Sequence, residues 1–202
     1  MIEINNLEGI WFSADHHFGH KNIIDFCARP FRDKYHMHGK LVERWNERVG
    51  EKDTVYYLGD FTLNAWDYAR NIISTLNGHI MFVTPRFHHD ARWIYQFNSD
   101  ASLRGEFMED GSMRSIGYYG SSLLLEIEPV KYPSSERPMT IHLSHYPLRE
   151  WQAKHHGGWH LHGHSHGTLD NNKLLALDVG VDAVDDYAPI SLVEVINIMW
   201  QK

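Results

Sequence analysis

The chain has 202 residues, 43% of them hydrophobic, and a formal net charge of −7, which points to one domain with a sizeable core. The negative balance argues against broad nonspecific nucleic-acid binding, although it leaves room for a local basic groove. There is no apolar run of about eighteen residues, as a transmembrane helix requires, so no membrane partner is expected.

Cys27 is the only cysteine, which excludes an intrachain disulfide and fits a reducing compartment. The opening Met1-Ile2-Glu3-Ile4 lacks the sections of a signal peptide, so a cytoplasmic location is expected. The chain carries 16 histidines, clustered and internal rather than gathered in a terminal tag. Histidine is the commonest metal ligand, so the excess points toward a metal site.

In chain order, Gly9-Ile10-Trp11-Phe12 reads as a buried strand. Asn22 to Ala28 reads as a short helix, broken by Arg29-Pro30-Phe31-Arg32. Leu41, Val42, Trp45 and Val49 have helical spacing, predicting a helix from Met37 to Val49. Gly50-Glu51-Lys52-Asp53 is a turn before a second strand, Thr54 to Leu58. Trp66 to Leu76 predicts another amphipathic helix, and His79 to Val83 a third strand. This rhythm predicts an α/β sheet with parallel strands, whose ligands gather at the strands' carboxyl ends. Beyond it, Ser115–Glu128 and Pro138–Leu143 are strand-like, with Lys131–Arg137 as a hairpin connection. Further strands are expected at Trp159–Leu161, Leu174–Val181 and Ser191–Ile198. No linker or repeat divides the chain, so residues 1–202 are read as a single domain.

Residues with ligand chemistry stand just after several of these strands. Asp15 and His17 follow the first, and side chains two apart on extended backbone point the same way. A carboxylate and an imidazole so placed suit a divalent metal. Asp60 follows Leu58-Gly59, where glycine permits close approach; alone it reads first as an Asx-turn residue. His145, before Tyr146-Pro147, reads equally as a turn residue or a ligand. Gly163-His164-Ser165-His166-Gly167 is the strongest local signal, because two histidines at i and i+2 between glycines can chelate from one loop.

Taken together, Asp15-His16-His17, Gly59-Asp60, Phe87-His88-His89-Asp90, His145 and Gly163-His164-Ser165-His166 resemble the motifs of the calcineurin-like metallophosphoesterase superfamily. The match spans residues 15 to 166 and keeps the superfamily's motif order. The wording around His17-Phe18-Gly19-His20, Arg29-Pro30-Phe31 and Val179-Gly180-Val181-Asp182 resembles a small bacterial and phage branch. The third motif departs from the pattern: Phe87-His88 stands where Gly-Asn is usual, so His88 would ligate through a ring nitrogen. Phe87 in place of glycine would also crowd that loop.

The resemblance implies a mixed-sheet α/β sandwich and a metal-dependent phosphoesterase acting on phosphate mono- or diesters. A nucleotide-type diester is slightly favoured, because a small chain without an evident cap leaves the site open. Asp15, His17, Asp60 and His166 would hold one divalent ion, with Mn²⁺ expected first and Fe, Zn or Ni as alternatives. Asp60 would bridge to a second ion held by His88, His145 and His164. A hydroxide activated by both ions would attack phosphorus. His89 would protonate the leaving oxygen, with Asp90 orienting its ring, although His88 and His89 could exchange roles. His20 and Arg29 would contact substrate phosphate, Arg29 reading equally as a surface ion pair. His160 and His162 lie on a predicted strand, and at least one is expected to be packed or to support a ligand. His16, His36, His38, His155 and His156 are expected at the surface. The partner would be a phosphate-ester substrate, with no stable nucleic-acid complex. The alternative is a catalytically inactive metal-binding scaffold of the same fold.

Overall fold

The computed structural model describes residues 1–85, 88–99, 105–107, 113–131, 136–171 and 173–202. Its first strands are β1 (Ile2–Ile4), β2 (Ile10–Ser13), β3 (Thr54–Tyr57) and β4 (His79–Phe82). Between and after them come helices α1 (Ile23–Phe26), α2 (Lys34–Arg48), α3 (Trp66–Ile73) and α4 (Ala91–Ser99). There follow β5 (Gly105–Phe107), β6 (Met113–Tyr118), β7 (Ser122–Lys131), β8 (Pro138–Ser144), β9 (Trp159–His162), β10 (Ala176–Asp178) and β11 (Ile190–Ser191). Helix α5 (Leu192–Met199) completes the order.

Two mixed sheets result. One has the order β11-β2-β3-β4-β6-β5, the other β1-β7-β8-β9-β10. Strands β2, β3, β4 and β6 run parallel, with antiparallel β11 and β5 at the two edges. In the second sheet only the β7–β8 hairpin is antiparallel. The architecture is an α/β sandwich, as expected.

Side-chain alternation explains the layers. Val55 and Tyr57 on β3, with Ile80 and Phe82 on β4, point to a core shared with α2, α3 and α4. Tyr56, Leu58 and Val83 point the other way, against Leu125, Ile141, Leu143 and Leu161 of the second sheet. Both faces of the central strands are therefore buried, as parallel strands require. Helix α2 starts where Asp33 accepts hydrogen bonds from the amides of Tyr35 and His36 at 2.9 and 2.8 Å. Met37, Leu41 and Trp45, four apart, form its buried stripe.

The C-terminal segment corrects one sequence expectation. Ser191–Ile198 is not a strand: pairing ends after Ser191 and α5 begins. Ser191 and Glu194 form a reciprocal capping box, and Leu192, Val195 and Met199 turn into the core. The proposed Lys131–Arg137 connection lies partly outside the described residues, but β7 and β8 pair antiparallel around it. Among the described residues, no helix is long and apolar enough to cross a membrane.

Candidate metal centre

The parallel strands of both sheets end at one edge of the sandwich, and the loops that leave them are stitched together. Beyond β2 and β3, the amides of Asp15, His17 and Phe18 donate to the carbonyls of Gly59, Asp60 and Phe61 at 3.0, 2.9 and 2.8 Å. Ala14 bridges to Gly180, and the Gly163 amide donates to the His145 carbonyl at 3.0 Å. The loops after β2 and β3 of one sheet are thus joined to each other and, through Ala14, to the loop after β10 of the other, in which the loops after β8 and β9 are also joined.

Seven side chains converge there in two groups that share one carboxylate. Asp15, His17, Asp60 and His166 form the first, and Asp60, His88, His145 and His164 the second. In each group the candidate ligand atoms lie within 4.8 Å of one another. His17 Nε2 stands 3.2 Å from Asp60 Oδ2, and His145 Nε2 stands 3.7 Å from Asp60 Oδ1. His88 Nδ1 lies against Asp60 Oδ1. The sequence-based ligand set is brought together in full, with His88 rather than His89 in the second group.

Local backbone is strained to achieve this. Asp15, His17, Asp60, His164 and His166 all have positive φ, between 47° and 67°. Left-handed backbone is uncommon for non-glycine residues, and such outliers cluster at functional sites. Gly59 answers a different need: a Cβ there would come within 2.6 Å of the His145 ring. Gly163 and Gly180 likewise leave room for the Asp15 carboxylate, which a Cβ at either would meet.

Burial sets the electrostatics. Asp15 is pushed well above the usual carboxylate range by burial, and then by the nearby charges of Asp60 and Asp178. Burial also pushes Asp60 upward, but its contacts with His17 and His88 outweigh this and hold it well below the usual range. Burial lowers His17 to about 4 and His145 to about 3, so both candidate ligand rings are neutral at neutral pH. Asp15 Oδ1, Asp60 Oδ1, His88 Nδ1, His145 Nε2 and both ring nitrogens of His17 are buried without a hydrogen-bond partner. Buried polar atoms are rarely left so. Oxygen and imidazole donors that face one another in this way fit a divalent cation.

A surrounding shell fixes the donors. His145 Nδ1 contacts the Leu58 carbonyl at 2.7 Å, which leaves Nε2 facing Asp60. His166 Nδ1 contacts Asp182 Oδ2 at 2.6 Å. Asp182 is in turn gripped by Arg29, whose Nε and one terminal nitrogen donate to it at 2.8 and 2.7 Å. Asp178 accepts from Ser165 Oγ at 2.8 Å and the Gly167 amide at 2.9 Å, holding the loop that carries His164 and His166. Neither Asp178 nor Asp182 takes a role at a site from the sequence alone: Asp182 closes the Val179-Gly180-Val181-Asp182 stretch that resembles the bacterial and phage branch, and Asp178 is the last residue of β10. Cys27 also lies near His166 and Asp182. Burial pushes its thiol up to about 11, and Asp182 is already paired, so this trio adds no separate site.

Several expected roles are placed differently. Arg29 is buried, and it also donates to the backbone carbonyls of Asp15 (2.6 Å) and His16 (2.9 Å) and to the Met37 sulfur. Its guanidinium is committed to the protein rather than presented to a substrate. Asp90 does not reach the His89 ring. Its buried carboxylate accepts from the amides of Phe61 (2.9 Å) and Thr62 (3.0 Å) and from the Trp93 indole (2.9 Å), tying the third loop to the second. Asp90 is pushed up to about 6, chiefly by burial. His16 is buried rather than exposed: it stacks on Phe18 and its Nδ1 contacts the Tyr57 hydroxyl at 3.0 Å. His36 and His38 are half-buried, while His155 and His156 are exposed. Both strand histidines are structural. His160 contacts the His142 carbonyl and the Leu148 amide, and His162 contacts the Gly163 carbonyl and Asn171. His89 neighbours His17, with ring centroids 5.4 Å apart, and His20 neighbours His17 at 5.7 Å. Phe87 lies outside the described residues.

No family model matches the chain. The crystal structure of the protein of unknown function AQ665 from Aquifex aeolicus has a TM-score of 0.63 at 20% identity. That match covers 94% of this chain and 98% of the other, and it shows the fold alone. The Gene 66 protein of Mycobacterium phage L5 is 25% identical over 88% of this chain and 88% of its own length. The corresponding protein of phage D29 is 24% identical over 95% and 97%. At 31% identity, over 96% of this chain and 93% of the relative, the chain belongs to the family of the uncharacterized protein MJ1445 of Methanocaldococcus jannaschii.

Proposed function

We propose that this protein is a metal-dependent phosphoesterase of the calcineurin-like type, hydrolysing phosphate mono- or diesters with two divalent ions, Mn²⁺ first among them. The observation that carries the reading is the pair of four-residue groups sharing Asp60, with buried donor atoms that have no other partner. Ions bound there would supply positive charge to phosphoryl oxygens and a nucleophile at neutral pH.

The chain's own residues do the rest. Asp60 offers one oxygen toward each group, Oδ2 beside His17 and Oδ1 beside His88 and His145. Asp182 and the Leu58 carbonyl fix the rings of His166 and His145, so their remaining nitrogens would be presented to an ion already oriented. His89 neighbours both His17 and His88, and its Nδ1 has no hydrogen-bond partner. It serves as the general acid, protonating the leaving oxygen. Asp90 positions the loop that carries His89. The single cysteine fits a cytoplasmic setting.

The test is metal analysis of the purified protein together with a panel of phosphomono- and diesters under Mn²⁺, Ni²⁺, Zn²⁺ and Fe²⁺. Bound metal with turnover supports the reading. Bound metal without turnover of any ester indicates a scaffold, and loose, variable binding indicates a storage or sensor protein.

A further inference from the structure

We infer that the two groups sharing Asp60 take different ions: an oxygen-preferring ion such as Mn²⁺ in the first, and an imidazole-preferring ion, Zn²⁺ foremost, in the second. The inference rests on the two-ion reading above and adds to it the division of metals between the positions. It follows from the donors. The first group offers two carboxylates, Asp15 and Asp60, and two imidazoles, His17 and His166. The second offers three imidazoles, His88, His145 and His164, and one carboxylate. That carboxylate is Asp60, which both groups share, so the second group has no carboxylate of its own.

Neighbouring carboxylates do not make up the difference. Asp15 Oδ2 accepts from the His164 amide at 2.9 Å, but Asp15 joins only the first group. Asp90 is taken up by the Phe61 and Thr62 amides and the Trp93 indole. Asp178 is taken up by Ser165 and the amides of Gly167 and Gly180, and Asp182 by Arg29 and His166. In the second group, His145 keeps Nδ1 on the Leu58 carbonyl and turns Nε2 toward Asp60, and His88 brings Nδ1 against Asp60. Both of these facing nitrogens are buried without a hydrogen-bond partner. Carboxylate and water oxygens suit Mn²⁺, imidazole suits Zn²⁺, and three histidines on one ion is a donor set that zinc uses at catalytic sites. Zinc binds nitrogen and oxygen sites more tightly than manganese in general, so the telling quantity is where a limited amount of zinc goes.

The test supplies that limited amount. Metal-free protein is given one equivalent of Zn²⁺ with Mn²⁺ in excess, and unbound metal is removed. Elemental analysis counts the ions, X-ray absorption at zinc counts its imidazoles, and electron paramagnetic resonance separates an isolated Mn²⁺ from a coupled Mn²⁺ pair. The expected result is about one ion of each kind per chain, with manganese isolated and zinc carrying three imidazoles. His88→Asn leaves two imidazoles and two carboxylate or amide oxygens in each group, so zinc should then divide between the positions and carry two imidazoles. Zinc with two imidazoles in wild type, zinc and manganese scattered as like pairs, or a distribution unchanged in His88→Asn overturns the inference. None of these readouts uses turnover, so the phosphoesterase reading fails separately. An ordered mixed centre that hydrolyses no ester upholds the inference and removes that reading; ester hydrolysis with zinc scattered over both positions does the reverse.

Discussion

Of the adjacent histidines at 88 and 89, His88 contacts Asp60 and joins the second group, and under the proposed function the two have different roles. His88→Ala should lower metal content, and excess metal should partly restore the rate. His89→Ala should keep its metal and lose rate by about 10²–10⁴-fold, most steeply on esters with poor leaving groups. Parallel metal analysis and kinetics of the two variants check this; equal, metal-independent losses on every ester would contradict it. Asp182 acts through His166. Asp182→Asn should weaken metal binding by about 10–100-fold, read by metal titration, with the fold intact. Of the candidate ligand residues, Asp15, His17, His164 and His166 stand in local Asp-x-His and His-x-His spacings after apolar runs, whereas Asp60, His88 and His145 took that reading only from the resemblance. Their supports were not legible in the sequence. Asp178, at the end of β10, and Asp182, in the loop beyond it, are ordinary carboxylates until the fold brings hydroxyl, amide, histidine and arginine partners to them. The Asp90 carboxylate was misread for the same reason: adjacency to His89 in sequence does not decide where a buried carboxylate finds its hydrogen bonds. The left-handed backbone of Asp15, His17, Asp60, His164 and His166 also leaves no trace in composition.

Strands β2, β3 and β4 and helices α1, α2 and α3 follow their sequence patterns, since apolar periodicity and turn residues there agree, whereas β1 and α4 were not expected. The last segment was misread, because Leu192, Val193, Val195 and Ile196 suit a strand or a helix equally. Capping decided it: the Ser191 hydroxyl accepts from the Glu194 amide at 3.2 Å while the Glu194 carboxylate accepts from the Ser191 amide at 2.9 Å. Ser191→Ala should therefore cost about 1 kcal/mol, lowering Tm by about 2–4 °C, as thermal unfolding followed by circular dichroism would show. The pairing of β8 with β9 carries a pH dependence through His160, which burial lowers to about 4. Above the free histidine value near 6.5 it is neutral in both folded and unfolded chains and contributes nothing. As pH falls from about 6.5 toward 4, the unfolded chain takes up a proton that the folded one refuses, so stability falls. Between pH 7 and 5, metal-free wild type should lose about 2 kcal/mol more than His160→Gln, measured by urea unfolding. Identical pH profiles would remove His160 from that account.

Across the whole molecule, the two sheets pack face to face over a common core, and the seven donor residues come from loops of both. The six-stranded sheet supplies Asp15, His17, Asp60 and His88, and the five-stranded sheet supplies His145, His164 and His166. Asp60 stands where these contributions meet, the one residue common to both groups. The most direct measurement is therefore metal stoichiometry and ester turnover of Asp60→Asn beside wild type, since a neutral amide cannot offset the charge of two dications. The expected result is loss of turnover together with reduced metal at both positions. Full activity with normal stoichiometry in Asp60→Asn would contradict the account.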